Sequence, residues 1–329
     1  MKIAIDAMGG DFAPQSTVEG AIQAAKEYGY EIILVGEEFF LKKELSRHKT
    51  VPDKISIKHA SEIIGMDEAP AVTIRKKKDS SINVAVNLVR DKLADAMVTA
   101  GNTGAVVCSA ALKLKTLEAI DRPGISVVLP TLLGQTLLID VGANIDCKPE
   151  HLLQYAIMGS VYCRYVLSKK EVKVGLLSIG EEKSKGTELT KIAHSLIDKS
   201  SLNFIGNVEG KDIFSGKADV IVCDGFTGNI ILKVLESVAE TVAGLFKQQL
   251  SSNLFTMLGG LLSMPAFRNL KRKVDYAEQG GAPLLGIGGI CIVGHGRSSA
   301  KAIKNAIRVA AEAALHNVNQ HIIDAVKNG

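Results

Sequence analysis

The stretch VIVCDGFTGN, residues 220–229, joins a short apolar run to a polar turn with two glycines, and a segment of helical character, Ile230–Leu235, follows it. A buried strand that ends in a glycine-containing turn and continues as a helix is the repeating unit of α/β proteins. The run AMVT, residues 96–99, leads in the same way into Gly101-Asn102-Thr103-Gly104. Both strands end in G-x-T-G before a helix, which is the pattern that a duplicated architecture would leave.

The rest of the chain repeats this alternation of short apolar runs and helical segments, which predicts an α/β fold with a mostly parallel sheet covered on both faces. The runs Ser126–Leu129 and Thr136–Asp140, with Gly134 between them, predict a hairpin, so we expect the sheet to be mixed. The other predicted strands are Ile3–Asp6, Ile32–Val35, Ile55–His59, Val172–Ser178, Phe204–Gly206 and Ile290–Val293. The predicted helices are Ser16–Tyr28, Ser81–Leu93, Gly104–Leu114, Pro149–Leu167, Thr187–Lys199, Asn229–Gln249 and Ser299–Asn319.

Composition restricts the class of protein. The 329 residues are 47% hydrophobic and 22% charged, which is enough apolar material for a large core, and the net charge of +4 does not by itself indicate nucleic-acid binding. The five cysteines contain no C-x-x-C pair, and the chain opens on a predicted strand and not on a leader. We therefore expect a cytoplasmic protein with reduced thiols and no membrane-spanning segment.

Glycine-containing turns before helices favour anions, because backbone N–H groups and the helix dipole point at the ligand. The turn Gly294–Ser299 adds an imidazole, a guanidinium and two hydroxyls. The familiar nucleotide and metal signatures are missing: Gly180–Thr187 has the order Lys-Gly-Thr and not Gly-Lys-Thr, and there is no G-x-G-x-x-G fingerprint, zinc motif or G-x-S-x-G elbow. The sequence thus predicts a phosphate-handling site without a nucleotide, metal or other cofactor.

An apolar tract followed by basic residues stands out within 245–278, which we predict to be a helical excursion with an apolar tip. Such a combination is typical of an interfacial membrane anchor, although a dimer-interface hairpin is the alternative. The helix before it carries Ile231, Val234, Leu235, Val238, Val242 and Leu245 at core spacing, which predicts a rigid stalk. The predicted membrane- or partner-binding residues are Leu254, Leu258, Leu261, Leu262, Arg268, Lys271, Arg272 and Lys273.

Four segments together resemble the bacterial phosphate acyltransferase family, the acyl-acyl-carrier-protein:phosphate transacylases of phospholipid synthesis. They are Asp6–Asp11, Thr99–Ala105, Asp140–Asn144 and Asp224–Asn229, and the resemblance extends from the first strand to the last helix. It implies a homodimer with a three-layer α/β/α fold like that of isocitrate and isopropylmalate dehydrogenases, a single catalytic unit (1–329) made of two intertwined subdomains.

The resemblance also implies a reaction. Acyl-acyl-carrier-protein and inorganic phosphate would give acyl phosphate and free carrier protein, with no cofactor. The acyl phosphate would pass to a membrane glycerol-3-phosphate acyltransferase, and the enzyme would lie peripherally on the inner face of the membrane. The carrier protein is expected to be acidic, so the basic clusters Arg75–Lys78 and Arg268–Lys273 are both candidate docking surfaces.

Residue type and position suggest roles within such a site. His295 would protonate the departing thiolate, Asp224 would orient a donor, and Asn229 completes the predicted catalytic set. Phosphate and substrate would be bound by Gly101, Asn102, Thr103, Gly104, Lys185, Thr227, Gly228, Arg297 and Ser298. Two G-x-T-G turns could face one cleft, and the sequence leaves open which of them binds phosphate.

Two kinds of alternative remain at this point. The mechanism could pass through an acyl-cysteine at Cys223 or Cys291. The function could instead be that of a phosphotransacetylase-like enzyme acting on acyl-CoA, or of a non-catalytic membrane scaffold that binds the carrier protein.

Overall fold

The computed structural model describes residues 1–252, 254–274 and 280–328, and within these it leaves the side chains of residues 254, 266–274 and 328 undescribed. Eleven described strands form one sheet: β1 Lys2–Asp6, β2 Glu31–Gly36, β3 Ile55–His59, β4 Ala96–Thr99, β5 Gly124–Thr131, β6 Gly134–Ile139, β7 Lys173–Leu177, β8 Asn203–Val208, β9 Val220–Val222, β10 Ala282–Leu285 and β11 Ile290–Val293. The described helices are α1 Gln15–Tyr28, α2 Glu38–Leu45, α3 Pro70–Lys76, α4 Ser81–Arg90, α5 Thr103–Lys113, α6 Pro149–Tyr165, α7 Glu188–Asp198, α8 Gly225–Leu250, α9 Leu254–Val274, α10 Ala300–Leu315 and α11 Val318–Asn328, with a 3-10 turn at Gly210–Phe214.

The strands lie in the order β3-β2-β1-β4-β11-β10-β5-β6-β9-β7-β8. β5 and β6 pair as the predicted antiparallel hairpin, with Thr131 opposite Gly134. β10 is antiparallel to both β11 and β5, and the other pairings between described strands are parallel. The prediction of a mixed, mostly parallel sheet is therefore confirmed.

The three antiparallel pairings reverse the direction of half the sheet. β1, β4 and β11 run one way, whereas β6, β9 and β7 run the other. The carboxyl ends of β1, β4 and β11 form what we call the first edge, and those of β6, β9 and β7 form the second edge. The two G-x-T-G turns follow β4 and β9, so they lie at opposite edges of the sheet. The possibility that both turns face one cleft is therefore not realised.

Helices cover both faces of the sheet, as predicted. On one face α3, α4, α5 and the start of α8 pack over a single apolar cluster that spans both halves of the sheet. On the other face α1 and α10 cover the strands around β1, and α6, α7 and α11 cover those around β6. The helices cover both faces of the strands, because removing the apolar surface of helix and strand from water stabilises the fold.

Several elements differ from the sequence-based expectation. β10 was not predicted. It contains Pro283, a residue that disfavours strands, yet it pairs on both sides in the middle of the sheet. The short helices α2 and α3 were also missed, and the predicted last helix is divided into α10 and α11.

α8 packs on the core only over its first turns, through Ile231, Leu232 and Leu235. Val234, Val238, Val242 and Leu245 are each exposed by 44–54%, so these positions at core spacing do not face the core of this chain. That the helix is a rigid stalk stays a prediction. α9 follows α8 and contains Pro265. Of the described helices, none combines the length and the apolar character needed to cross a bilayer.

Candidate active site

The turn after β11 packs directly on the G-x-T-G turn after β4. The backbone N–H of Gly294 donates to the Thr99 carbonyl at 2.6 Å, and the N–H of Asp11 donates to the Gly296 carbonyl at 2.7 Å. Neighbouring parallel strands end at the same edge, so the loops that follow β1, β4 and β11 meet there. The structure thus brings His295, Arg297 and Ser298 together with Gly101–Gly104 at the first edge.

Asn102 caps α5 and also fixes a neighbouring loop. Its Oδ1 accepts from the N–H of Ala105 at 3.0 Å, and its Nδ2 donates to the carbonyls of Gly65, Met66 and Glu68 at 2.9–3.2 Å. The amide that was predicted to bind phosphate therefore has its hydrogen-bonding capacity used by the protein. Its cap is neutral, and it leaves the start of α5 open to an anion.

The first residues of α5 lie just beyond this cap. Thr103 is exposed, and Gly104 lies so close to the Pro70 ring that a Cβ at 104 would be 2.6 Å from its Cγ. Within the described chain, no group accepts a hydrogen bond from the backbone N–H of Thr103 or Gly104. Unfilled donors at a helix N-terminus suit an oxyanion.

The buried carboxyl of Asp6 is hydrogen-bonded to the G-x-T-G turn through Thr99. Asp6 is fully buried at the end of β1 and accepts from the Thr99 hydroxyl at 2.7 Å, while Thr99 accepts from the N–H of Gly101 at 3.0 Å. Burial raises the pKa of Asp6, and hydrogen bonds from Ser81, Thr99 and backbone amides act in the opposite direction. The chain Asp6–Thr99–Gly101 fixes the backbone of the turn relative to the sheet.

His295 is half-buried, and contacts with Arg297 and Glu236 orient its ring. Its Nδ1 accepts from the N–H of Arg297 at 3.1 Å, and its Nε2 lies 3.6 Å from Oε1 of Glu236 on α8. The Arg297 guanidinium is exposed and lies 3.9 Å from the Asp11 carboxylate. Ser298 is buried behind them. A half-buried imidazole backed by a carboxylate can hold or release a proton at Nε2.

The second G-x-T-G turn is built differently, because a carboxylate caps its helix. α8 begins at Gly225, so Thr227, Gly228 and Asn229 lie within its first turns and not ahead of it. Asp224 accepts from the N–H and the hydroxyl of Thr227 at 2.8 and 2.7 Å. The negative charge that the helix dipole favours is thus already present as Asp224, which would repel a second anion.

Asp140 is the second-edge counterpart of Asp6. It is fully buried and accepts hydrogen bonds of 2.8–3.1 Å from the N–H groups of Ile125, Gly142, Ala143 and Asn144. Burial raises the pKa of Asp140, whereas these amides lower it.

The start of α8 packs on the backbone that follows β6. A Cβ on Gly225 would lie 2.7 Å from Oδ2 of Asp140, and one on Gly228 would collide with the Asp140 carbonyl. The glycines of DGFTGN therefore permit close packing of the helix and do not open a pocket.

The remaining predicted residues lie at the second edge. Asn229 is exposed beside Gly142, and Lys185 is exposed in the loop after β7. The structure thus divides the predicted site into His295, Arg297, Ser298 and Gly101–Gly104 at one edge and Asp224–Asn229 with Lys185 at the other. α8 connects the two, because Glu236 contacts His295.

Three residues that sequence reasoning did not place in the site are Asp6, Asp140 and Glu236. Both aspartates end apolar strands, which was visible in the sequence, but the same pattern fits an ordinary strand end. Glu236 follows Asn229 by seven residues, a spacing that puts both on one face of a helix, and that was the available signal.

The cysteines proposed as alternative nucleophiles are enclosed in the core. Cys223 is 3% exposed and Cys291 is 1% exposed. Burial raises the pKa of Cys291 to about 12 and that of Cys223 well above its ordinary value. Reactive cysteines are accessible and have lowered pKa values, so neither thiol has the properties of a nucleophile.

Comparison with known proteins agrees with this architecture. The model of the family described as "Fatty acid synthesis protein" matches residues 1–321. The chain is 50% identical over 327 residues to the phosphate acyltransferases of Geotalea daltonii and Geobacter sulfurreducens, covering 99% of this chain and 94% of each relative. A phosphotransacetylase from Streptococcus pyogenes is similar in fold, with a TM-score of 0.64 at 19% identity over 96% of this chain and 94% of that one. The chain belongs to the phosphate acyltransferase family.

Proposed function

We propose that the protein transfers the acyl group of an acyl-acyl-carrier-protein to inorganic phosphate. A phosphate oxygen forms a bond to the thioester carbonyl carbon, the carbon–sulfur bond breaks, and the thiolate of the carrier protein leaves and takes up a proton. The products are acyl phosphate and free carrier protein, for use by a membrane glycerol-3-phosphate acyltransferase in phospholipid synthesis. The family membership carries this proposal, and the geometry of the first edge supports it.

In this proposal phosphate binds at the start of α5. The open N–H groups of Thr103 and Gly104 would donate to the phosphate, and the exposed Arg297 guanidinium, 3.9 Å from Asp11, would add a charged donor, in contrast to the carboxylate-capped start of α8. Phosphate is already a nucleophile near neutral pH, so the work of the site is to hold it against the carbonyl and to stabilise the oxyanion. His295, backed by Glu236, supplies the proton to the thiolate.

Phosphate-dependent release of carrier thiol is the direct test. Long-chain acyl-acyl-carrier-protein and the matching acyl-CoA are each incubated with and without phosphate, and free thiol and acyl phosphate are measured. Release from the carrier protein alone supports the proposal. Release from acyl-CoA alone would show a phosphotransacetylase-like enzyme, and binding of carrier protein without release from either would show a scaffold.

The arm formed by α8 and α9 is proposed to place the enzyme on a membrane. Its described tip exposes Leu258, Leu261 and Leu262 by 61–83% and Phe255 by 88%, and apolar side chains of this kind insert at the headgroup boundary. Leu254 and the basic residues Arg268, Lys271, Arg272 and Lys273 belong to the same prediction, but their side chains lie outside the described set. Flotation with anionic vesicles should retain the wild type and lose the Leu258→Ser/Leu262→Ser variant.

The exposed stripe on α8 is proposed to pair with a second copy of the chain. Val234, Val238, Val242 and Leu245 follow one face of the helix at intervals of three or four residues. A homodimer would remove this face from water. Sedimentation of the wild type and of the Val238→Lys/Val242→Lys variant distinguishes dimer formation from membrane binding. In the absence of vesicles, only loss of the dimer changes the measured mass.

A further inference from the structure

A pocket with four cations lies at the far ends of α3, α4 and α5. Arg75 and Lys78 line it from α3 and the residues after it, Arg90 and Asn87 from α4, and Leu112 and Lys113 from α5. We call this the basic pocket. Its volume is about 440 Å³, and no carboxylate is among the described residues that line it. Arg90 is paired with the carboxylate of the neighbouring Asp91 at 2.8 Å. The cations of Arg75, Lys78 and Lys113 share the same concave surface, and their combined charge attracts an acidic ligand.

Two polar groups in the basic pocket are incompletely satisfied by the protein. The Oδ1 of Asn87 is buried and has no hydrogen-bond partner among the described residues. The Lys113 ammonium is half-buried and donates to the Asn83 carbonyl at 3.2 Å. Burial first, and then the charge of Arg90, lower the pKa of Lys113 to about 8. Holding a half-buried cation near Arg90 costs stability, and an acidic ligand in the pocket would offset that cost.

The basic pocket is connected to the proposed phosphate site by two helices. α3 and α5 both begin at the G-x-T-G turn, where Pro70 packs on Gly104, and both end at the pocket, which Arg75 and Lys113 line. Thr103 and Lys113 are the first and last residues of α5, so the pocket lies about 15 Å from the turn along the helix axis. A substrate that presents its thioester on a long arm would need such a separation between its protein surface and the reacting carbonyl.

We propose that the basic pocket docks an acidic surface of the acyl-carrier-protein substrate, so that the acyl-bearing arm lies along α3 and α5 and brings the thioester to the start of α5. The inference rests on the proposed function for the identity of the partner. Arg75 and Lys78 are exposed and supply long-range attraction, whereas Lys113 and Asn87 supply contacts inside the pocket. Val72 and Leu112, 52% and 57% exposed, offer apolar contact beside this path.

The test compares two charge reversals of equal size. Arg75→Glu/Lys78→Glu changes the basic pocket, and Lys43→Glu/Lys49→Glu makes matched changes at exposed lysines on and just after α2. We expect the first variant to raise the KM for acyl-acyl-carrier-protein on the order of tenfold at low ionic strength. Its KM for phosphate and its rate with an S-acyl pantetheine, which has no carrier protein, should stay at the wild-type values. The control variant should match the wild type throughout.

Equal KM values for the carrier substrate in both variants, or an equal loss with S-acyl pantetheine, would overturn the inference. The neutral variant Arg75→Gln/Lys78→Gln should raise the KM for the carrier substrate less than the charge reversal does. It keeps the test valid if the charge-reversal variant fails to fold. Failure of the proposed function is seen separately, as absence of phosphate-dependent thiol release by the wild type. In that case the dissociation constant of holo-carrier protein still tests the docking. Binding that is weakened in the basic-pocket variant but not in the control variant supports it. No binding to the wild type, or equal binding to both variants, contradicts it.

Discussion

The His295 imidazole lies 3.6 Å from the Glu236 carboxylate, and this contact joins the turn after β11 to α8. The Glu236 carboxylate also forms an ion pair with the Lys233 ammonium at 2.8 Å. α8 begins at the second edge, and Glu236 follows Asn229 by seven residues, about 10 Å along the axis. The helix that starts with DGFTGN therefore reaches the first edge through its side chains, although its N-terminal turn does not lie there.

Replacing His295 should slow the chemical step more than it weakens substrate binding. We expect His295→Asn to lower kcat by about 10²-fold or more, because a positioned proton donor contributes on that order. Glu236→Gln should reduce kcat less and change the pH dependence of kcat, since it alters the group that faces Nε2. Glu240→Gln, at an exposed position one turn further along α8, is the control. Wild-type kcat in His295→Asn would remove it from the mechanism.

Variants of the two turns should separate the phosphate site from the helix cap. Asp224→Ala is expected to lower the free energy of unfolding by about 1 kcal/mol through loss of the cap, with little change in the KM for phosphate. Arg297→Met should raise the KM for phosphate with little effect on stability. The reverse pattern in thermal unfolding and initial-rate measurements would place phosphate at the start of α8.

Two glycines of α8 give a matched pair of substitutions. Gly228→Ala places a Cβ against the Asp140 carbonyl and 2.9 Å from Sγ of Cys223, so we expect a loss of about 3 kcal/mol or more. Gly244→Ala meets no described atom within 4 Å and should stabilise the helix by about 0.5–1 kcal/mol. Denaturant unfolding measures both. A tolerated Gly228→Ala would show that α8 can move away from Asp140.

Substitution of the buried thiols should leave catalysis in place. Cys223→Ser and Cys291→Ala are expected to retain wild-type kcat, because both thiols are enclosed and their pKa values are raised. Incubation of the wild type with acyl-acyl-carrier-protein in the absence of phosphate should give no covalent acyl-enzyme by mass spectrometry. An acyl group trapped on either cysteine would establish the two-step route instead.

Lys113 should make stability depend on pH in the alkaline range. Its pKa in the folded protein, about 8, lies below the ordinary value of 10.5, so between these values the unfolded chain binds more protons. The free energy of unfolding then rises as the pH increases through this window. Lys113→Met should be more stable than the wild type at pH 7 by about 1 kcal/mol, since solvent still screens part of the charge, and the gain should vanish near pH 10.5.

The same variant links stability to docking. If the basic pocket binds an acidic partner, Lys113→Met should bind carrier protein more weakly although it is more stable. Lys43→Met, at an exposed position, should change neither property. A Lys113→Met protein with unchanged stability at pH 7 would show that the ammonium is solvated and bears no strain.

Much of the fold could be predicted because local sequence and burial agree. β3, β4 and β11 have the predicted bounds, and the hairpin forms where Gly134 was seen between two apolar runs. β10 could not be predicted, since Pro283 contradicts a strand and only pairing with β5 and β11 compensates for it. The exposure of the apolar stripe on α8 could not be predicted for a related reason: spacing shows that a helix has an apolar face but not what covers it.

The sequence by itself determined the strand–turn–helix units, the family, and the residue types at each turn, because these depend on local pattern and on motif order. Only the tertiary structure decided which turns meet. The reversal of strand direction at β10, β5 and β6 separates two turns of the same G-x-T-G pattern onto opposite edges, and no local signal records it. The caps then distinguish them: neutral Asn102 leaves α5 open to an anion, whereas the Asp224 carboxylate already occupies the start of α8.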